Sequence, residues 1–516
     1  MRVLFFHQVA ESIGIEYLAA ALRADGHEVG LVFDPGFRHH PYADLGALGF
    51  LGPTRAEILT RIAAFQPELV AVSVWTNLVP TLAEVARAVR ERLGVPVVAG
   101  GVHATMLPRR TLEAGWADYV CVGDGEDVIR ELARALERGG STETIPGLWT
   151  RKAGGEIVAG PPRPLRQDLD ALPFPDRELF RREGVAESAL ACNTLRGCPF
   201  RCTYCTNTAL QDLHRERDDG KFLRRRSVAS VIAELAEAKA RHRPRSVAFV
   251  DELFALDERW IEAFAPIYRE RVGLPFWGNA YPLLVSDRML RALRLAGCSE
   301  LAMGLEVGSE PLNESIRARP MPTARVLEAA RKIRAAGIHL YVDVIFGFPD
   351  ETPADMWSTV ELAAATGADS VKSFVFFPLP GTPLLRSCVE RGLLAPADVL
   401  AIEEGRGSYH GRSPLRQPYG GTAFTLSRML PAYVAAPSWL RPWLARVMRR
   451  PWGKLAALTH LASYPFFVDR AAAADFLMTV GVGLRFRARA LVGRASARNR
   501  RGRAVTASAP LAVRAG

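Results

Sequence analysis

Apolar positions along the first 140 residues alternate between two periods. Residues 1–6 form a short apolar run, and Ile15, Leu18, Ala19 and Leu22 then repeat at helical spacing over 15–25, ending at Gly26. Residues 28–33 read as the next strand, 55–65 as a helix, 69–74 as an apolar strand and 81–93 as a helix. Residues 95–99 are a strand halted by Gly100-Gly101, 119–122 another, and 127–138 a helix. This alternation predicts an α/β domain over 1–140 with a doubly wound parallel sheet, whose ligands lie beyond the carboxyl ends of the strands. Ser73, Thr76, Gly100, Gly101, His103 and Gly125 fall there.

Residues 141–187 are rich in Pro, Gly and Arg, as in Pro161-Pro162-Arg163-Pro164, and read as a linker. A second strand–helix series occupies 188–395, with strands near 189–194, 246–250, 276–279, 301–305, 340–346 and 370–376. Helices fit between them at 230–240, 287–296 and 324–336. Six such units predict an open or partial (β/α)6 barrel. Residues 396–485 read as a small, mainly helical region and 486–516 as a basic, disordered tail.

A length of 516 residues predicts two or three domains. With 49% hydrophobic and 23% charged residues, the chain is neither disordered throughout nor collagen-like. Strand-like sequence begins at the first residues, so no secretory leader is expected and the chain reads as cytoplasmic. The net charge of +11 is uneven: from Arg428 onward sixteen Lys and Arg face only Asp469 and Asp475, leaving the body at −3. Because the basic excess sits in an appendage, no nucleic-acid partner is expected for the body. In that appendage Trp439 and Trp443 are interleaved with Arg441, Arg446, Arg449 and Arg450, and 455–468 is uncharged but too short to span a bilayer. Two readings stand: peripheral contact with a membrane, or a helical unit with a solvated basic face.

Chemistry concentrates in Arg196-Gly-Cys198-Pro-Phe-Arg-Cys202-Thr-Tyr204-Cys205, three of the seven cysteines within eight residues. Thiolates in a reducing compartment suit zinc or iron–sulfur ligation. Three without a fourth make an incomplete zinc site unless His214 completes it, and they suit a four-iron cluster with one iron left open. Cys121, Cys192, Cys298 and Cys388 read as packing residues.

The stretch 194–207 resembles the cluster loop of the radical S-adenosylmethionine superfamily. That resemblance implies a TIM-like partial barrel in which Cys198, Cys202 and Cys205 hold a [4Fe–4S] cluster and S-adenosylmethionine chelates the open iron. Reductive cleavage would yield a 5′-deoxyadenosyl radical that removes a substrate hydrogen. Further segments match in order: Tyr204 at the aromatic position near the adenine, and Asp251 and Glu252 after the second strand, near the methionyl amine. Met303–Ser309 carries Glu306 toward the cofactor, 345–352 carries Gly347 and Glu351, and 378–383 resembles the sixth-strand segment.

Residues 14–29 resemble the opening of the Rossmann-like cobalamin-binding domains fused to such barrels. The resemblance extends to Ser73 and Thr76, to Gly100-Gly101 and to Gly123-Asp124-Gly125-Glu126. It implies cobalamin held by Gly14, Ser73, Thr76, Gly100, Gly101, His103, Gly125 and Glu126. The Asp-x-His-x-x-Gly motif that gives cobalt a histidine is absent, since the chain after the first strand reads His7-Gln-Val-Ala-Glu-Ser-Ile-Gly14. The chain is thus similar to cobalamin-dependent radical methyltransferases and the anaerobic magnesium-protoporphyrin ester cyclases. That similarity implies C-methylation of a small-molecule, lipid or natural-product substrate, with an electron donor such as flavodoxin or ferredoxin. The alternatives are cyclisation, hydroxylation or ring rearrangement with the same cofactors, and a non-enzymatic cobalamin-binding regulator.

Overall fold

A computed structural model describes residues 1–37, 46–185, 189–217, 220–407 and 411–452, together with Leu484. The expectations for the apolar run 455–468 and the basic tail therefore lie outside the described residues.

The N-terminal unit is one sheet of seven strands: β1 (Arg2–Gln8), β2 (Glu28–Asp34), β3 (Leu69–Ser73), β4 (Val97–Gly100), β5 (Tyr119–Cys121), β6 (Leu148–Arg151) and β7 (Ile157–Ala159). Their order is β2-β1-β3-β4-β5-β6-β7, parallel through β5. The order reverses between β1 and β3, so the crevice for a ligand opens beyond the carboxyl ends of those strands. Both faces are covered by helices, which is why β1 and β3 read as unbroken apolar runs.

The segment 141–187, expected as a linker, carries two of these strands. β6 pairs antiparallel with β5, and β7 with β6, extending the sheet by a hairpin. The hairpin escapes the sequence pattern because β7 has only three residues and burial alternates over just four in β6. The chain after it is tied down by side chains: Arg163 reaches Glu131 (2.5 Å) and Arg166 reaches Asp127 (2.5 Å).

The second unit contains β8 (Ala189–Cys192), a short ribbon of β9 (Leu195–Arg196) with β10 (Arg224–Arg225), then β11 (Ser246–Phe249), β12 (Phe276–Ala280), β13 (Cys298–Glu306), β14 (His339–Phe346) and β15 (Ser370–Val375). Six of these strands form an all-parallel sheet in sequential order, β8-β11-β12-β13-β14-β15, the partial barrel expected from the periodicity. The intervening helices bury an apolar layer against the outer face of the strands. Helix Pro353–Ala365 is started by a capping box of Thr352 and Asp355. Beyond the barrel, helix Gly420–Ala435 packs on β15 and β14, and helix Arg441–Met448 follows.

Five buried side chains join the two units. Arg177 donates to Glu16 (3.0 Å) of helix Ile13–Ala24 and to Glu234 (2.7 Å) of helix Val228–His242. Arg226 donates to the same Glu234 (2.5 Å) and to the Tyr17 hydroxyl (3.2 Å). With each side chain at most 5% exposed, losing one charged partner would strand a buried charge, so the five specify one docking geometry.

Candidate active site

The cysteine loop leaves β9 at Gly197, whose φ of +89° and close approach to Phe222 O admit no side chain. Helix Thr206–Glu216 then anchors it from behind. Gln211 donates to the carbonyls of Cys198 (2.5 Å) and Phe200 (2.9 Å), and Thr208 to that of Cys202 (2.7 Å). Thr203 N donates to Ile316 O (2.7 Å), and Leu384 N to Thr203 O (2.9 Å), pinning the loop to the barrel rim.

The three thiols form one local group with Glu252. Burial pushes the Cys205 thiol up to about 12, helped by the Glu252 carboxylate and the other two thiols, and Cys198 is raised for the same leading reason. Thiolates there need a cationic partner, which cluster iron supplies. Among the described residues no three His, Cys, Asp or Glu groups converge tightly enough to chelate one metal ion. Three thiols without the fourth ligand that a structural zinc takes fit a cluster with one iron left open. His214 instead packs against Phe222 and Gly123.

Two cationic groups that carry no sequence signal complete the surroundings. The Arg319 guanidinium lies over Phe200 (3.7 Å) and Tyr281 (4.6 Å), donates to the Tyr281 hydroxyl (2.7 Å) and reaches Cys202 Sγ at 3.7 Å. Arg317 donates to Gly304 O (2.7 Å) and stands 3.6 Å from the Glu306 carboxylate. Glu306 has φ +63°, where β13 and β14 lose register, a bulge that re-aims its side chain. Burial raises the Glu306 carboxyl while Arg317 and the Tyr204 hydroxyl oppose the rise. Tyr204 packs edge-on against Phe348 (5.4 Å), so its ring, Glu306 and Arg317 meet at one end of the barrel. Asp343, opposite Gly304 in the register, joins them: burial and the nearby Glu306 push its carboxyl up to about 8.

The adjacent carboxylates of Asp251 and Glu252 part company. Asp251 is fully buried and accepts from Thr194 N (2.6 Å), Thr194 Oγ1 (2.6 Å) and Leu195 N (2.8 Å), so it holds the chain entering the cysteine loop. Glu252 instead opens into a cavity of about 290 Å³. Glu351 is likewise committed: its Oε2 accepts from Gly347 N and from Phe348 N (3.1 Å), fixing a turn in which Gly347 has φ +86°.

That cavity lies between the two units. Gly101, Thr105, Gly123 and Asp124 line it from the N-terminal side, and Asn207 and Glu252 from the barrel side. At Gly101, with φ +88°, a Cβ would sit 2.8 Å from Val74 N and 3.2 Å from Ser73 Oγ. Gly101 is therefore packed directly on the end of β3, and of Ser73, Gly100 and Gly101 it alone lines the cavity. The other residues expected at cobalamin do not line this cavity. His103 and Thr76 are buried and bonded to each other (3.2 Å), and burial lowers His103 to about 4, so it stays neutral. Gly14 sits at the start of helix Ile13–Ala24, and the Cβ position of Gly125 lies 3.0 Å from Leu18. Glu126 accepts from Arg196 (2.5 Å), two residues before the first cysteine of the motif. Asp124 accepts from Arg224 (2.5 Å) and stands 3.6 Å from Arg196. The loop after β5 is therefore clamped to the root of the cysteine loop. Cys121, Cys192, Cys298 and Cys388 are buried.

Comparison with known proteins identifies both units. Residues 3–133 match the B12 binding domain and residues 192–363 the Radical SAM superfamily, together more than half of the chain. An uncharacterised methyltransferase of Pyrococcus horikoshii is 28% identical over 392 residues, 74% of this chain and 79% of that protein. The anaerobic magnesium-protoporphyrin IX monomethyl ester cyclase of Cereibacter sphaeroides is 25% identical over 403 residues, 75% of this chain and 63% of the cyclase. The structure of the radical S-adenosylmethionine methyltransferase TsrM from Kitasatospora setae, with cobalamin and a [4Fe–4S] cluster bound, superposes with a TM-score of 0.59. Its identity is 22%, over 77% of this chain and 79% of TsrM.

Proposed function

Because the chain belongs to the radical S-adenosylmethionine enzymes that carry a B12-binding domain, we propose that it methylates an unactivated carbon of a small organic, lipid or natural-product substrate. Its cofactors are a [4Fe–4S] cluster, S-adenosylmethionine and cobalamin. Together these supply one-electron chemistry at an open iron and a transferable methyl group; the protein supplies binding, orientation and exclusion of water.

The observation that carries the proposal is the interdomain cavity, where the loops after β4 and β5 face Glu252 and Asn207 across one space. In this reading Cys198, Cys202 and Cys205 hold the cluster and Glu252 takes the methionyl amine. Glu306 and Tyr204, with Arg317 behind them, bound the nucleoside end. Gly101, beside Ser73 and Gly100, borders the corrin site. Asp251, Glu351 and Glu126 are positioning residues, each holding backbone or an arginine rather than facing the cavity.

The likeness to the Cereibacter sphaeroides ester cyclase supports a second reading, in which the same cofactors serve oxidative ring closure without methyl transfer. Anaerobic reconstitution with iron, sulfide and hydroxocobalamin, followed by reduction in the presence of methyl-labelled S-adenosylmethionine, separates the two. About four irons and one corrin per chain, with label passing to the corrin and then to product, is the expected result. Iron without retained corrin would overturn the methyl-transfer reading. Corrin with label absent from product would favour the cyclisation reading.

A further inference from the structure

The C-terminal face of the described structure has no part in the site above and carries an unusual pairing of groups. Between Glu404 and Asp469 the chain contains no acidic residue but nine Lys and Arg. Within that stretch, helix Arg441–Met448 and the turn before it are two-sided. Leu444 and Val447 pack against the barrel core and Met448 is fully buried. On the opposite side Trp439, Trp443, Arg446 and Arg450 follow one another at spacings of three and four residues, which puts them in one stripe. Trp439 is 77% exposed and Trp443 58% exposed, and both arginines are exposed. Among the described residues no carboxylate pairs with Arg446 or Arg450. Arg441 and Arg449 are occupied by the carbonyls of Val434 and Ala436 and by the Trp357 ring, respectively.

Large exposed indoles are unfavourable on a surface that faces only water, and they suit the headgroup level of a bilayer, where an apolar body and a polar edge are both satisfied. Guanidinium groups on the same stripe match anionic headgroups. Single-stranded nucleic acid could also use the arginines and stack its bases on the indoles, and vesicle flotation set against RNA or DNA binding separates that occupant from a bilayer. No helix among the described residues is long and apolar enough to cross a membrane, so contact here is with its surface. We propose that the Trp439–Trp443–Arg446–Arg450 stripe docks the enzyme on an anionic lipid bilayer.

The full-length chain tests this by flotation with vesicles of neutral phosphatidylcholine and with vesicles containing one-quarter phosphatidylglycerol. Wild type should float with the anionic vesicles only, and raising the salt should weaken it by screening. The R446E/R450E variant should lose roughly tenfold or more in partition coefficient, each reversed charge opposing the surface field. The W439S/W443S variant, which keeps the charge, should also lose affinity. All four side chains are exposed, so circular-dichroism melts of both variants should match wild type. Equal flotation with neutral vesicles, or R446E/R450E floating like wild type, would overturn the proposal. So would RNA or DNA binding that the charge reversals abolish while vesicles go unbound.

Discussion

Replacing Asp251 by asparagine and by alanine distinguishes a carboxylate that holds the backbone from one that recognises a cationic ligand. Its Oδ1 accepts both Thr194 N and Leu195 N, and its Oδ2 accepts the Thr194 hydroxyl, all at 2.6–2.8 Å and away from solvent. In Asp251→Asn the amide oxygen can take the Oδ1 place and keep both backbone bonds, while its N–H donates to Thr194 Oγ1. The geometric cost is about 1 kcal/mol or less. Burial also pushes the Asp251 carboxyl up to about 6 from its usual 3.8. A raised carboxyl favours the folded state below pH 3.8, and that advantage is lost as pH rises through 6, leaving roughly 3 kcal/mol against the ionised form at pH 8. Asparagine escapes that cost, so Asp251→Asn should be no less stable than wild type at pH 8. Asp251→Ala strands two buried amides and a hydroxyl at roughly 1–3 kcal/mol each, partly offset by removal of the charge. Hydrogen exchange of a peptide spanning residues 189–205 should therefore stay protected in the asparagine variant and quicken roughly a hundredfold in the alanine variant, as a loss near 3 kcal/mol requires. S-adenosylmethionine affinity of the cluster-loaded asparagine variant should remain within a few-fold of wild type. Full protection combined with an affinity loss as large as that of Asp251→Ala would refute the reasoning and return Asp251 to the ligand.

Arg319→Gln removes a positive charge and an N–H donor 3.7 Å from Cys202 Sγ. Potentiometric titration of the cluster signal should show a lower midpoint, with the ratio of reduced to oxidised cluster at fixed potential down roughly tenfold, about 59 mV for one electron. An unchanged midpoint would remove Arg319 from the electrostatics of the cluster. Arg196→Met leaves Glu126 and Asp124 facing an apolar side chain and should cost about 3–5 kcal/mol in urea unfolding; Arg196→Met/Glu126→Gln should recover part of it. Additive losses in that cycle would show that the two groups do not interact. Glu351, pushed up to about 8 by burial from its usual 4.5, keeps its proton in the folded state. Its contribution is complete below pH 4.5 and lost as pH rises through 8. Glu351→Gln, which can accept from both Gly347 N and Phe348 N, should flatten the fall in melting temperature between pH 5 and 9, and an unaltered slope would contradict this.

Much of the protein is legible in short stretches because the information there is local. The doubly wound order and the six barrel strands follow from alternation of strand and helix periods. The cysteine motif is visible because its three ligands lie within eight residues, as a loop leaving one strand requires. What the sequence left undecided has a different physical character. The sequence sets Asp251 and Glu252 side by side just after a strand but does not say which of them meets the cavity; the three donors of Thr194 and Leu195, 57 and 56 residues earlier, decide it. Thr76 and His103 stand at strand ends as ligand groups would, yet they bond to each other 27 residues apart and do not line the cavity. Arg319 comes to Cys202 across 117 residues, and Arg196 to Glu126 across 70. Such pairs leave no periodic trace, because a charge is compatible with almost any exposed position until tertiary packing removes water from it and makes its partner obligatory. The hairpin of β6 and β7 was hidden for a related reason. Two strands of four and three residues carry too little pattern to be seen, and they exist because the edge of β5 is there to pair with them.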